Sequence, residues 1–354
     1  MYVWEGVAET HLANPLADFP LAGSVAAMDA AGFHAVRLLL SQQAARDYGL
    51  PPLRCAAGGR PTLACLFRSD AYRAALAVKS VDVVMFTAYE YASNQRQRFL
   101  DPDFLKQNRQ QVFDEYRDLA EAIMRDYSGS GRVFIVGNWE GDNQVYCGSS
   151  YEYETVAAKH NACLQQDPGR HLAALAEWLQ IRQQAIAEGR RRAIAAGASG
   201  VEVWHAVEFN TLFSTQRVEG AVMRQKDYRG VLDTLVPLLH PDVCSYSAWE
   251  SVARGRLTKD LQDVMKACGD APVIVGELGD KENPDKHYRK IVSALLPLRD
   301  RVPLVFFWQA FEAREPREPG FGLFDLGGLP KHAKALDAIR ILFGGEPGKS
   351  KGAH

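Results

Sequence analysis

VFIVGNWE (residues 133–140) and VIVGEL (residues 273–278) each run apolar for several positions and then deliver a glutamate. Runs this continuous read as strands covered on both faces, because a half-exposed strand would alternate polar and apolar side chains. Five more runs repeat the pattern: Ala35–Ser41 (AVRLLLS), Val81–Ala88 (VDVVMFTA), Val201–Glu208 (VEVWHAVE), Val243–Trp249 (VCSYSAW) and Leu304–Ala310 (LVFFWQA). Between them lie stretches of 3.6-residue periodicity: Phe113–Tyr127, His171–Ala196, Asp227–Leu239, Lys259–Ala267, Lys286–Leu298 and Lys331–Phe343. Strands alternating with helices mean parallel strands joined by crossovers. The helical stretch Leu21–Ala31 precedes the first clear run, so a further strand is expected before it, and Tyr2–Glu5 is the candidate. Eight strands favour a closed barrel over a doubly wound sheet, and no GxGxxG turn follows any strand. The predicted fold is α/β, a single-domain (β/α)8 TIM barrel over residues 1–343. Residues 344–354 are expected to form a polar, disordered tail.

The bulk properties agree. The chain has 354 residues, 47% hydrophobic and 24% charged, and this length suits one large barrel without metal or disulfide staples. A formal net charge of -2 with interspersed signs gives no basic face, which argues against nucleic acid as a partner. The cationic run Arg190-Arg191-Arg192 reads as a solvated helix face. No apolar run reaches membrane-span length. Met1 to Glu9 hold Glu5 and Glu9 and no basic region, so no signal peptide is expected as written. Export with a leader outside this chain and a cytoplasmic location both remain open. The six cysteines are read two ways: Cys55/Cys65 and Cys147/Cys163 as disulfides of an exported protein, or isolated thiols of a cytosolic enzyme. No cofactor motif and no zinc spacing is present, and the reading requires neither cofactor nor metal.

In such barrels chemistry sits at the C-terminal ends of the strands. The polar residues there are Arg37 on strand two, Asn138 and Glu140 on strand four, His205 on strand five, Tyr246 on strand six, Glu277 on strand seven and Trp308 on strand eight. Glutamates on strands four and seven face one another across the mouth. One carboxyl to protonate a leaving oxygen and another to attack an anomeric carbon is the minimal equipment for glycoside hydrolysis. A retaining pair would stand about 5–5.5 Å apart. Trp139, Trp249 and Trp308 are candidate sugar platforms, Trp178 a core residue, and Tyr89, Tyr91, Tyr146, Tyr151 and Tyr153 fall in loops on that face. The segment from Gly141 to about Gly169 is expected to be a long loop walling the cleft.

With VFIVGNWEGD and VIVGELGD at these places, the chain resembles the clan A glycoside hydrolases, the (β/α)8 superfamily that includes family 5 cellulases and mannanases. The resemblance implies Glu140 as general acid/base and Glu277 as nucleophile of a retaining enzyme acting on an oligo- or polysaccharide. It further implies that Arg37 and Tyr246 hydrogen-bond the nucleophile, and that Trp308 floors the catalytic subsite. GLFDLGGLPKHAKA (residues 322–335) is similar to the clan's ending, and the likeness spans about Leu21 to Phe343. Two departures stand out: the clan has Asn directly before the acid/base, where this chain has Trp139, and Cys244 replaces the family 5 His two residues before the Tyr. No family within the clan is assigned.

Other readings are carried beside this one. Either glutamate could cap a helix or join an ion pair, and Asp142, Glu208 and Glu250 compete for the acid role. His205 either bonds the acid carboxyl, lines the sugar site, or is an interior histidine. Rival functions are a catalytically inactive carbohydrate-binding barrel and a metal-dependent barrel hydrolase. A phosphate-binding barrel lacks its glycine-rich loop, Gly327-Gly328 being a weak echo.

Overall fold

The computed structural model describes residues 8–12, 21–53, 55, 59–93, 98–212, 229–312, 320–325 and 327–342. Eight parallel strands form a closed barrel: β1 (Ala8–Leu12), β2 (Phe33–Leu40), β3 (Val83–Ala88), β4 (Val133–Gly137), β5 (Glu202–Phe209), β6 (Val243–Ser247), β7 (Val273–Leu278) and β8 (Val305–Phe307). Each pairs with the next, and β8 closes on β1 through Glu9 with Phe306 and Thr10 with Phe307. The expected first strand, Tyr2–Glu5, lies outside the described residues, as does the tail 344–354. The strand that pairs with β2 is Ala8–Leu12. Its sequence, AETHL, is short and mixed in polarity and forms no apolar run.

The period-two alternation of each strand separates two cores. Ala35, Val83, Met85, Val133, Ile135, Ala206, Val243, Ile274, Leu304 and Phe306 fill the barrel. Their neighbours Val36, Leu38, Val84, Phe86, Phe134, Val136, Val203, Val207, Tyr246, Val275 and Phe307 point outward and pack under the helices. Continuing the inward parity toward the C-terminal ends changes the chemistry: Arg37, Glu208, Ser245 and Ser247 follow the apolar layers. The barrel thus has an apolar base and a polar mouth, and parity decides which polar residues reach the mouth.

The two longest helices, Pro102–Asp126 and Pro168–Ala195, start alike. Asp101 and Asp167 accept backbone N–H bonds from Asp103 and Arg170, and proline occupies the first turn, where its missing N–H costs nothing. The helices touch closely at Gly189, where a Cβ would stand 2.4 Å from the Arg117 carbonyl oxygen. Among the described residues no helix is long and apolar enough to cross a membrane.

The segment after β4 is not the expected loop. It folds into three short helices, Gly141–Val145, Ser150–Thr155 and Ala157–Leu164. Tyr146 stacks on Tyr153 with ring centroids 4.5 Å apart, and His160 lies against Tyr153, so these side chains pack the excursion itself. Cys147–Cys163 bridges its ends, as the paired reading expected, and Cys55–Cys65 is also bridged. A third bond, Cys244–Cys268, ties β6 to the end of the helix Leu257–Cys268. Cys244 has outward parity, which places it against that helix. Thiol titration in denaturant should therefore find no free cysteine before reduction. Replacing both Cys147 and Cys163 with Ser should lower unfolding stability by about 3 kcal/mol, as expected for a loop of this size; wild-type stability would contradict the bridge.

Candidate active site

The floor of the mouth is a buried ion pair. Arg37 is fully buried and donates from Nη1 to Glu208 Oε2 (2.7 Å) and from Nη2 to Glu208 Oε1 (2.9 Å). Its remaining N–H groups reach Thr87 Oγ1 (2.9 Å), the Gly276 carbonyl (2.6 Å) and the Asn138 carbonyl (3.4 Å). All five guanidinium hydrogens are engaged. Glu208 also accepts from Ser245 Oγ (2.7 Å) and from the backbone N–H of Glu140 (3.2 Å). Removing two charges from water this completely is tolerable only because nearly every donor and acceptor is met.

Above the floor stand Glu140 and Glu277, each 4% exposed. Glu140 precedes the helix Gly141–Val145 with φ 23° and ψ 76°, a sparsely populated conformation for a residue with a side chain. Strand pairing ends at Gly137, and this turn frees Glu140 from the parity it would share with Asn138. Its Oε1 accepts from Ser247 Oγ (2.6 Å) and its Oε2 from Asn143 Nδ2. The Asn143 amide is oriented in turn, because its Oδ1 accepts from Ser150 N (2.8 Å) and Asn210 Nδ2 (3.0 Å). Burial, then the nearby charge of Glu277, pushes the Glu140 pKa well above the ordinary carboxylate value; Ser247 opposes this, while Glu208 and Glu250 add to it.

Glu277 reaches the mouth by a bulge. Tyr246 pairs with Val275 and Ser247 with Glu277, so Gly276 is the extra residue that re-aims the strand end. Glu277 Oε1 accepts from Trp249 Nε1 (3.0 Å), and its Oε2 lies 3.9 Å from Arg37 Nη1. The expected hydrogen bond from Arg37 is replaced by a charge contact, since Arg37 has no N–H left to give. Nor does Tyr246 bond Glu277 directly. Tyr246 has outward parity, shares a hydrogen bond with Ser251 Oγ (2.5 Å) and stacks on Phe209. Trp249 stands where Tyr246 was expected.

Two other expected site residues also face the helices. Asn138 Oδ1 accepts from Arg182 Nη2 and the Glu208 N–H (both 3.1 Å), and its Nδ2 donates to the Glu208 carbonyl (2.9 Å). It staples β4 to β5 and has no amide group turned to the mouth. His205 is buried beside Arg182 and Arg190 of the helix Pro168–Ala195; burial first, then those cations, hold its pKa well below the usual value. Among the described residues neither ring nitrogen has a hydrogen-bond partner. Trp178 is core, as expected, stacked on Phe99 and donating to Glu90 Oε2 (3.0 Å).

Trp139 and Trp308 are half-buried at the rim, at the ends of β4 and β8, and the Trp308–Gln309 peptide is cis. Trp139 lines a cavity of ≈ 300 Å³ with Leu39, Tyr89 and Phe99; Trp249 lines another of ≈ 650 Å³ with Gly279 and Phe321. Of the rival acids, Asp142 spends its carboxylate on the backbone N–H groups of Asn210, Thr211 and Val231, and burial pushes its pKa up to about 6. Glu250 follows β6 and is pushed up to about 7, chiefly by burial. Among the described residues no three His, Cys, Asp or Glu side chains converge as a metal-ligand set. Sequence reading missed Ser245, Ser247, Thr87 and Asn143; inward parity from Val243 would have found the two serines.

Gly276 makes the floor possible. A Cβ there would stand 2.0 Å from Ser245 Oγ and 2.1 Å from Glu208 Oε2. Gly276→Ala should therefore split the Arg37–Glu208 pair and cost about 3–5 kcal/mol of stability. A variant melting within a degree of wild type would refute this packing.

No protein-family model and no curated protein sequence matches the chain. Solved structures do share its fold. A mutant of the Glycoside Hydrolase 5 lichenase from Caldicellulosiruptor sp. F32, in complex with cellotetraose, aligns with a TM-score of 0.55 at 13% identity, over 94% of this chain and 92% of that one. The endo-β-1,4-mannanase of Thermotoga petrophila aligns at 0.54 and 11% identity, over 97% and 77%. A calcium-binding mutant of Bacteroides uniformis β-glucuronidase 2 aligns at 0.51 and 12% identity over 96% of this chain, which spans only 34% of that protein. At these identities the likeness is one of fold: the chain is a (β/α)8 barrel of the kind that carries these glycosidases.

Proposed function

We propose that this protein is a retaining glycoside hydrolase acting on an oligo- or polysaccharide, with residues 1–343 as one catalytic unit. The observation that carries the reading is the pair of buried carboxylates at one barrel mouth, held in unlike surroundings. Glu140 sits where burial and neighbouring carboxylates favour its protonated form. Glu277 accepts a tryptophan N–H and lies beside the Arg37 cation, surroundings that favour a carboxylate anion. The saturated carboxylates of Asp142 and Glu208 leave Glu140 as the acid best placed to give a proton. The shared barrel of the lichenase and the mannanase supports the same class of chemistry.

In the first step the Glu277 carboxylate attacks the anomeric carbon while the bond from that carbon to the leaving oxygen breaks, and Glu140 gives its proton to that oxygen. In the second, water attacks the same carbon, Glu140 takes the water proton, and the Glu277 ester is released as carboxylate. Trp139, Trp249 and Trp308 offer ring faces to the apolar side of a sugar.

Glu277→Ala should lower turnover by about 10⁴-fold or more on every substrate. Glu140→Ala should cost about 10²–10⁴-fold on a natural glycoside and far less in the first step with a dinitrophenyl leaving group, which departs unprotonated. Azide should restore turnover in the Glu140 variant with retained configuration, and give the opposite anomer with Glu277→Ala. Because Glu140 must be protonated to act, wild-type activity should fall as pH rises through its raised pKa. That alkaline limb should vanish in Glu140→Ala assayed with the activated substrate. Wild-type kinetics for Glu140→Ala on a natural glycoside would remove it from the acid role.

A further inference from the structure

We propose that Glu208 is a positioning residue for both carboxylates: it fixes the backbone of Glu140 and balances the charge of Arg37 beside Glu277. This rests on the catalytic reading above and adds a third carboxylate that never touches the sugar. Glu208 is fully buried on the inward face of β5, and four donors surround it: two from Arg37, one from Ser245 and one from the Glu140 backbone. A carboxylate has about four acceptor positions, so none is left for a substrate proton. Its own backbone N–H and carbonyl are held by Asn138. One side chain thus links β2, β4, β5 and β6, and through the Arg37 bond to the Gly276 carbonyl it reaches the bulge that aims Glu277.

Two consequences follow from this geometry. The first is mechanical. Glu140 holds a positive φ, and the bond from its N–H to Glu208 Oε1 is one of the contacts that secure that turn. The second is electrostatic. An uncompensated Arg37 beneath the mouth would draw both upper carboxylates toward their ionised forms, leaving no acid to protonate the leaving group. Glu208 neutralises Arg37 from below. Among the described residues, Glu277 on β7, Glu208 on β5 and Glu250 after β6 act on Glu140 as like charges, and Arg37 on β2, already paired with Glu208, is the cation beneath them. Of these, Glu208 is itself locked to a cation, Arg37, by two hydrogen bonds.

Length and charge are separable. Glu208→Gln keeps the side-chain length and removes the charge; Glu208→Asp keeps the charge and withdraws it from the Glu140 N–H. Carboxyl-labelled glutamate, with the Glu140 resonance assigned by Glu140→Gln, allows titration of that group by carbon NMR whether or not the protein turns over a substrate. In Glu208→Gln the Glu140 midpoint should fall by about one pH unit, and the alkaline limb of kcat/KM on aryl glycosides should move down with it. In Glu208→Asp the limb should stay in place while kcat falls about tenfold or more with little change in KM. An unmoved Glu140 midpoint in a folded Glu208→Gln protein overturns the electrostatic role. If Glu208→Gln does not fold, Glu208→Asp decides: the stated loss of kcat at a fixed limb supports positioning, and wild-type kcat overturns it. A wild type inactive on all glycosides, with the midpoint shifted as stated, would sink the glycosidase reading and leave the role of Glu208 standing.

Discussion

Arg37 has five N–H bonds to give, and it gives all of them below the plane of the two upper glutamates. The buried pair with Glu208 is the constraint on which the mouth of the barrel depends. It demands Gly276, because any Cβ there would occupy the space of Glu208 Oε2 and Ser245 Oγ. It also demands small polar neighbours on the inward faces, supplied by Thr87 and Ser245. A buried ion pair of this kind is a poor source of net stability, since hydrophobic replacements often serve as well. What it supplies is a fixed cation 3.9 Å from Glu277 and a fixed acceptor under the Glu140 backbone.

From that floor the unlike surroundings of the two upper glutamates follow by ordinary electrostatics. Two carboxylates in a site shielded from water repel one another's charge, so the second proton stays where the surroundings are least favourable to an anion. Glu140 feels Glu277, Glu208 and Glu250 and, among the described residues, accepts hydrogen bonds from Ser247 and Asn143. Glu277 has the indole N–H of Trp249 and the nearby guanidinium. The asymmetry comes from the unlike neighbours of the two side chains, on β2 and β5 and after β4 and β6.

Much of the barrel was legible in the sequence because seven of its strands are buried on both faces and are apolar along most of their length. The first strand escaped because AETHL carries little of that signal. The site was legible only in part, and the reason is parity. Glu140, Glu277, Arg37 and Trp249 were recognised and stand together. Asn138, His205 and Tyr246 were recognised by type and lie on the outward side, which counting from Ile135, Ala206 and Val243 would have shown. The same count exposes Glu208 as inward, one turn of the pleat beyond Ala206. No count could have placed Glu277, because the bulge at Gly276 resets the register. Nor does anything in CSYSAW announce that Cys244 pairs with Cys268, a contact made only when the helix Leu257–Cys268 folds back on β6.

The most direct test of Glu277 as nucleophile is to trap a glycosyl-enzyme. Incubating the wild type with a panel of activated 2-deoxy-2-fluoro glycosides should slow release of the glycosyl-enzyme for the sugar the site accepts. Mass spectrometry of the digested protein should then find one added fluorosugar on the peptide containing Glu277, and none after Glu277→Ala. An adduct on Glu140, or steady hydrolysis of the matching natural glycoside by Glu277→Ala, would contradict the assignment.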